Sequence, residues 1–364
     1  MTEEYTRTPI GSLVRQSAPI NLSEEYDPRW LNGRVIVVTG GASGFGAAFV
    51  RKWAEHGAVI IVGDINVQKG DQSVRRVIEE TGNKNVHFVH CDVADWQSQV
   101  NLFKEAVCRS PHGGIDACIA NAGIAGIEPL HLPQNLGAAE PEKPNFKVID
   151  VNLYGVLYTT QLALHWLQKN PLSKPCSPDV NPSKVKRDRH LLLVGSMASL
   201  APIVSQPLYG TAKHGVLGLF RSLRASSFID GVRVTAIFPY FIDTPIMPTP
   251  GRLILAGGGM GKVEDVVEAA TRLVADSRIV GRGLVVGPKV KVKQRENGEW
   301  VVLPKHSPEG EERAVWEAYA DDFEDSEQFT HKIVQVLNGV ARVKGWAGWI
   351  ADVIAAIRYG LFGW

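Results

Sequence analysis

Seven short runs of β-branched and aliphatic residues recur between Arg34 and Pro288: Val35–Val38, Val59–Val62, Val86–His90, Ala117–Ala120, Leu191–Val194, Val232–Phe238 and Leu284–Val286. Longer stretches of helical character separate them. Runs that are apolar at nearly every position, not at every second one, suit strands buried on both faces, and strands alternating with helices build a parallel sheet. The expectation is one α/β domain over residues 31–288, a doubly wound, seven-stranded parallel sheet with helices on both faces. Right-handed crossovers then put a ligand crevice at the carboxyl ends of the strands.

A chain of 364 residues can bury such a core. Its 39 basic and 38 acidic residues leave a net charge of +1, so no overall field favours nucleic acid or an anionic membrane. Cys91, Cys108, Cys118 and Cys176 show neither C-x-x-C nor zinc spacing, and neither a disulfide nor a metal site is expected. Residues 1–30 read as an N-terminal extension. Met1–Pro19 lacks the apolar run of a secretory signal, which points to the cytoplasm.

Two segments break the rhythm. His131–Asn145 and Asn170–Arg189 are rich in proline and polar residues and read as surface loops. The second carries Lys184, Lys186, Arg187 and Arg189, read as a solvated charge run or an anion contact. Residues 289–364 read as a C-terminal extension. Lys289–Arg295 is basic, Glu309–Glu327 acidic, and Phe329–Trp364 apolar at helical spacing through Ile333, Val336, Val340, Ile350 and Ile354. Charges interrupt that helix too often for a membrane span of about 20 apolar residues. Three placements suit it: packed on its own domain or a partner subunit, lying in a membrane surface with Trp346, Trp349 and Trp364 at headgroup level, or capping the substrate pocket.

The first strand runs into Thr39-Gly40-Gly41-Ala42-Ser43-Gly44-Phe45-Gly46 and then into a helix over Ala47–His56. Glycines let the main chain approach a pyrophosphate, and a helix N-terminus offers N–H groups and partial positive charge. Asp64 closes the second strand about twenty residues on, where a carboxylate accepts hydrogen bonds from an adenosine ribose, as in Rossmann-type domains. That carboxylate repels a 2′-phosphate, and the following Ile65 and Asn66 bring no cation, so NAD is expected over NADP. Asp92 and Val93 end the third strand beside the adenine. Asn121, Ala122 and Gly123 end the fourth, beside the ribose and nicotinamide.

Tyr209 and Lys213 stand four residues apart, on one face of a helix through His214–Leu223. A phenol ionises near pH 10, and a nearby ammonium favours its phenolate. Ser196 follows the strand Leu191–Val194, so its hydroxyl emerges at the crevice, where it can bond a substrate oxygen. Asn152 is a polar residue in an otherwise apolar helix, suited to hold a water or to satisfy itself locally.

Thr39-x-x-x-Gly44-x-Gly46, Asn121-Ala122-Gly123, Asn152, Ser196 and Tyr209-x-x-x-Lys213, in this order and spacing, resemble the short-chain dehydrogenase/reductase family of the compact, single-domain kind. The likeness spans about Leu31 to Pro288. The stretch Ser205–Gly215 is similar to the 15-hydroxyprostaglandin dehydrogenase branch and its fungal members. The resemblance implies hydride transfer between a secondary alcohol or its ketone and the nicotinamide. It gives Tyr209 the role of general base in oxidation and acid in reduction. Ser196 would orient the carbonyl oxygen, Lys213 would lower the tyrosine pKa and bind ribose, and Asn152 would hold a relay water. Gln206 would face the substrate, and Thr244 matches the residue that bonds the carboxamide. One departure stands out: where the family has Pro-Gly after the sixth strand, this chain has Pro239-Tyr240.

The expected activity is that of an NAD-dependent dehydrogenase of a fairly apolar secondary alcohol, with a second copy of the chain as protein partner. Apolarity rests on Phe241, Ile242, Ile246, Met247 and Leu253–Leu255 after the sixth strand. Two alternatives stand beside it: an NADPH-dependent ketoreductase of a biosynthetic pathway, and a nicotinamide-binding sensor or scaffold without turnover. Loss of the serine, tyrosine or lysine would mark the latter, and none is lost.

Overall fold

The computed structural model describes residues 16–126, 130, 137–242, 244, 259–296 and 298–320, with single positions between 336 and 354. Residues 16–320 form one compact unit; 1–15 and 321–364 form another.

All seven expected strands are present: β1 Val35–Thr39, β2 Val59–Asp64, β3 Val86–His90, β4 Ala117–Ala120, β5 His190–Val194, β6 Arg233–Pro239 and β7 Gly283–Gln294. They lie in the order β3-β2-β1-β4-β5-β6-β7 with every neighbour parallel. The order reverses between β1 and β4, and there the sheet opens its crevice. Successive strand residues alternate between two cores. Ile36, Val38, Ile60, Val62 and Leu192 meet α1 (Gly44–Glu55), α2 (Val67–Thr81) and α7 (Val263–Ala275). Val37, Ile61, Cys118, Leu193 and Phe238 meet α3 (Trp96–Arg109), α5 (Gly155–Gln168) and α6 (Pro207–Asp230). A short helix, α4 (Lys147–Ile149), runs through one wide turn, Asp150–Tyr154, into α5.

The extension past Pro288 is a correction. β7 does not stop there but continues to Gln294, and β8 (Trp300–Val302) and β9 (Glu311–Ala318) pair with it antiparallel, giving nine strands. Past a register shift between Val286 and Val290, β7 is flanked by β8 on one side and β9 on the other. Trp300 and Trp316 meet edge-on at 5.8 Å, with the Arg313 guanidinium 3.9 Å over the Trp300 ring. Beyond Ala320 the described positions Val336, Val340, Val343, Trp346, Ile350 and Ile354 are helical and exposed. Gly339, Gly345, Ala347 and Gly348 are helical too, and the other positions of the predicted tail helix lie outside the described residues.

The amino ends of the strands carry a buried network of charge. Asp116 accepts hydrogen bonds from Val35 N (2.9 Å), Asp188 N (3.0 Å) and Asn170 Nδ2 (3.0 Å), and Arg187 lies 3.4 Å away. Asp188 in turn pairs with the fully buried Arg233 at 2.7 Å. Arg233 also donates to the carbonyls of Leu273, Val274 and Ile279, which closes the carboxyl end of α7. The loop Asn170–Arg189 is therefore anchored rather than solvated at its end: Arg187 bonds Gly33 O, and Arg189 bonds Ser173 Oγ.

Candidate active site

The glycine loop is packed as a cradle. Gly40 has φ of +64°, and a Cβ there would stand 2.7 Å from the Ala122 backbone; at Gly46 it would meet the Gly40 carbonyl at 2.3 Å. Only glycine lets these turns touch. Asn121 fastens them, its Nδ2 donating to the carbonyls of Thr39 (2.8 Å) and Gly40 (3.1 Å). Thr39 Oγ1 donates to Ile119 O and accepts from Asn121 N and Ala122 N, so β1 and β4 are tied at the crevice.

Helix α1 begins at Gly44, three residues earlier than the sequence suggests, and Ser43 gives it no side-chain cap. Its first-turn N–H groups face the loop, as an anion requires. Phe45 turns away to stack on Phe49 at 6.4 Å. Asp64 Oδ2 accepts from Ala42 N (3.0 Å) and Oδ1 from Asn66 N (2.9 Å), holding the carboxylate against the loop. Ile65 beside it is 57% exposed. Asp92 caps its own turn by accepting from Ala94 N, and Val93 is buried against Gly155. Such a cradle fits a dinucleotide: the loop and α1 would hold its pyrophosphate and Asp64 its ribose hydroxyls.

At the end of β5 the sequence-predicted set converges. Ser196 caps a short turn, accepting from Ala198 N at 3.2 Å, while its own N–H donates to Ser199 Oγ at 3.2 Å. Ser199 was not singled out in the sequence, although Ser196-Met-Ala-Ser199 has the spacing of a capping box. The Ser196 hydroxyl lies near enough to the Tyr209 phenol to pull its pKa down, and Lys213 Nζ lies 5.8 Å from the Tyr209 ring centroid. Lys213 Nζ donates to Val194 O at 3.0 Å, which places the amine at the foot of the same strand end.

Burial raises the Tyr209 pKa, with the Ser196 hydroxyl pulling the other way. Burial likewise pushes Lys213 down, to about 8. Asn152 is satisfied locally: its Oδ1 accepts from Ile124 N (2.8 Å) and its Nδ2 donates to Ile124 O (2.7 Å). It clamps the segment after Gly123 from the wide turn before α5. Gln206 sits half-buried directly before α6, and Thr244 is buried. The expected substrate cover Ile246, Met247 and Leu253–Leu255 lies outside the described residues.

The family profile described as short chain dehydrogenase matches residues 34–250 of this chain. The chain is a short-chain dehydrogenase. Among curated relatives of this short-chain dehydrogenase, 5′-hydroxyaverantin dehydrogenase of Dothistroma septosporum is 34% identical over 74% of this chain and 89% of its own length. An NADP-dependent dehydrogenase of Cochliobolus lunatus is 31% identical over 74% of this chain and 93% of its own. The mouse 15-hydroxyprostaglandin dehydrogenase [NAD(+)] is 30% identical over 60% of this chain and 70% of its own. As a short-chain dehydrogenase it is an oxidoreductase acting on CH–OH groups. Among the described residues no helix is long and apolar enough to cross a membrane.

Proposed function

We propose that this chain oxidises a fairly apolar secondary alcohol to its ketone, or runs the reverse, with NAD as the preferred coenzyme. The observation that carries the reading is the convergence at the end of β5 of the Ser196 hydroxyl, the Tyr209 phenol and the Lys213 amine, which lies 5.8 Å from the phenol ring. Ser196 donates to the substrate oxygen and fixes it beside the phenol. Tyr209 takes the hydroxyl proton in oxidation and returns it in reduction. When bound, the nicotinamide supplies the hydride acceptor or donor. Its positive charge in the oxidised form favours phenolate, against the burial that raises the phenol in the free protein. Lys213, held by Val194 O, adds to that when protonated and reaches the ribose. Asn152 keeps the backbone after Gly123 in place beneath the coenzyme.

Asp64 supports NAD: its carboxylate, pinned by Ala42 N and Asn66 N, meets a 2′-phosphate with like charge. A second reading, NADPH-dependent reduction, has its own support in a cavity of about 460 Å³ between α1 and α2, lined by Ser43, Lys69, Arg51 and Arg76, with Glu80 paired to both arginines. The NADP-dependent relative is consistent with it. Two measurements test the readings. Fluorescence titration is expected to show NADH binding more tightly than NADPH; the reverse order assigns the coenzyme to the cavity's cations. Tyr209→Phe is expected to keep NADH affinity while lowering turnover of an alcohol panel by about 10²–10⁴-fold. Unchanged turnover in that variant would remove Tyr209 from the chemistry.

A further inference from the structure

The departure from the family pattern at Pro239-Tyr240 falls in a defined place. Ala236 N donates to Arg282 O and Tyr240 N to Val286 O, so the hydrogen-bond alternation of β6 runs on to Tyr240 and roots it on the same face of the sheet as Phe238. Phe238 meets Phe220 of α6 edge-on, centroids 6.0 Å apart. Helix α6 leads into β6 and runs back along it, so Tyr209 and Lys213 lie about 16 and 10 Å nearer the crevice than Phe220, at 1.5 Å per residue. Tyr240 lies about 7 Å beyond Phe238 in the same direction. Its root is fixed, since Tyr240 N donates to Val286 O at 2.7 Å. The Tyr240 ring therefore stands on the face of the sheet that carries the tyrosine and lysine, at their end of it.

Phe241 completes a corner. Its ring lies 4.9 Å from that of Tyr240 at 83°, and both are only partly buried. Two perpendicular rings offer a flat guest a face to stack on and an edge to abut, the two geometries aromatic pairs favour. A tyrosine where the family has glycine also takes room from a branched alkyl group.

We propose that Tyr240 and Phe241 are the specificity-determining pair of this site, seating a planar aromatic ring bonded to the carbinol carbon, so that aryl carbinols and aryl ketones are the preferred substrates. This rests on the dehydrogenase reading above, which brings the carbinol carbon to Ser196 and Tyr209.

The test compares an aryl ketone, 1-tetralone, with an alkyl ketone of similar size, 1-decalone. Binding of each to the protein–NADH complex is followed by calorimetry, and kcat/KM for both is measured alongside. The wild-type chain is expected to prefer the aryl ketone, and Tyr240→Ala to lower the aryl-to-alkyl ratio about tenfold, mainly through KM. Tyr240→Phe keeps the ring and is expected to stay within threefold of wild type. An unchanged ratio in Tyr240→Ala, or a Tyr240→Phe variant as impaired as alanine, overturns the proposal. NADH affinity reports folding; should Tyr240→Ala lose it, Phe241→Ala takes its place, and a ratio that does not fall there overturns the proposal equally. If the wild type binds the aryl ketone selectively yet reduces neither, the dehydrogenase reading fails while the aromatic corner stands.

Discussion

The two ends of the sheet handle buried charge in opposite ways. At the amino ends, Asp116, Asp188, Arg187 and Arg233 are closed on one another and on backbone groups. At the carboxyl ends, Tyr209 is partly buried and Lys213 buried, and burial shifts each against its charged form. The first arrangement holds elements together; the second leaves ionisation to be decided by what binds. The same desolvation cost is thus offset permanently at one end and left open at the other.

Substitution at each end should separate these roles. Asp188→Ala leaves the Arg233 guanidinium buried without its carboxylate and is expected to cost about 3–5 kcal/mol of stability, read as a large drop in denaturation midpoint. Protein that remains folded should keep its KM. Ser196→Ala is expected to do the reverse, lowering kcat about 10²–10³-fold with little change in melting temperature. A loss of stability as large as that of Asp188→Ala would make the carboxyl end structural too.

A pH series sharpens the contrast. Lys213 titrates near 8 in the folded chain against its ordinary 10.5, so the unfolded state holds more protons between those values. Stability from this group therefore rises with pH through that window, by up to about 3 kcal/mol, and the rise is absent below pH 8. Unfolding of wild type against Lys213→Met across pH 7–10 checks this; a gap that does not vary with pH contradicts it. The smallest effect is expected from removing residues 321–364: every site residue lies within 16–320, so NADH affinity should stay within about twofold.

The strands and the loop were legible because both are local signals. Unbroken apolar runs such as Val59–Val62 mark strands covered on two sides, and the Thr39–Gly46 spacing marks a turn that admits no side chains. The amino-end network was not legible: Asp116, Asp188 and Arg233 are far apart in sequence, and each reads alone as loop or strand-edge polarity. β9 escaped for another reason. Glu311-Glu312-Arg313 and Glu317 give it the composition of an acidic tail, because at the sheet's edge only Ala314 is fully buried. In the site, Ser196, Tyr209 and Lys213 converge at the end of β5, where their order in the sequence suggests, but the direction of the Tyr209 and Lys213 pKa shifts depends on burial, which spacing does not encode.

The start and finish of the folded unit meet at one corner. Ser17 N bonds Val280 O, Ile20 N bonds Glu317 Oε2 at 2.6 Å, and Arg282 pairs with Glu317 at 3.2 Å while also reaching Ser17 O. That corner adjoins Gly283, where β7 begins, whereas the glycine cradle lies at the carboxyl end of β1, four strands away. A short linker could therefore join residues 16 and 320, and new termini opened in an exposed loop would give a circular permutant with its coenzyme groove untouched.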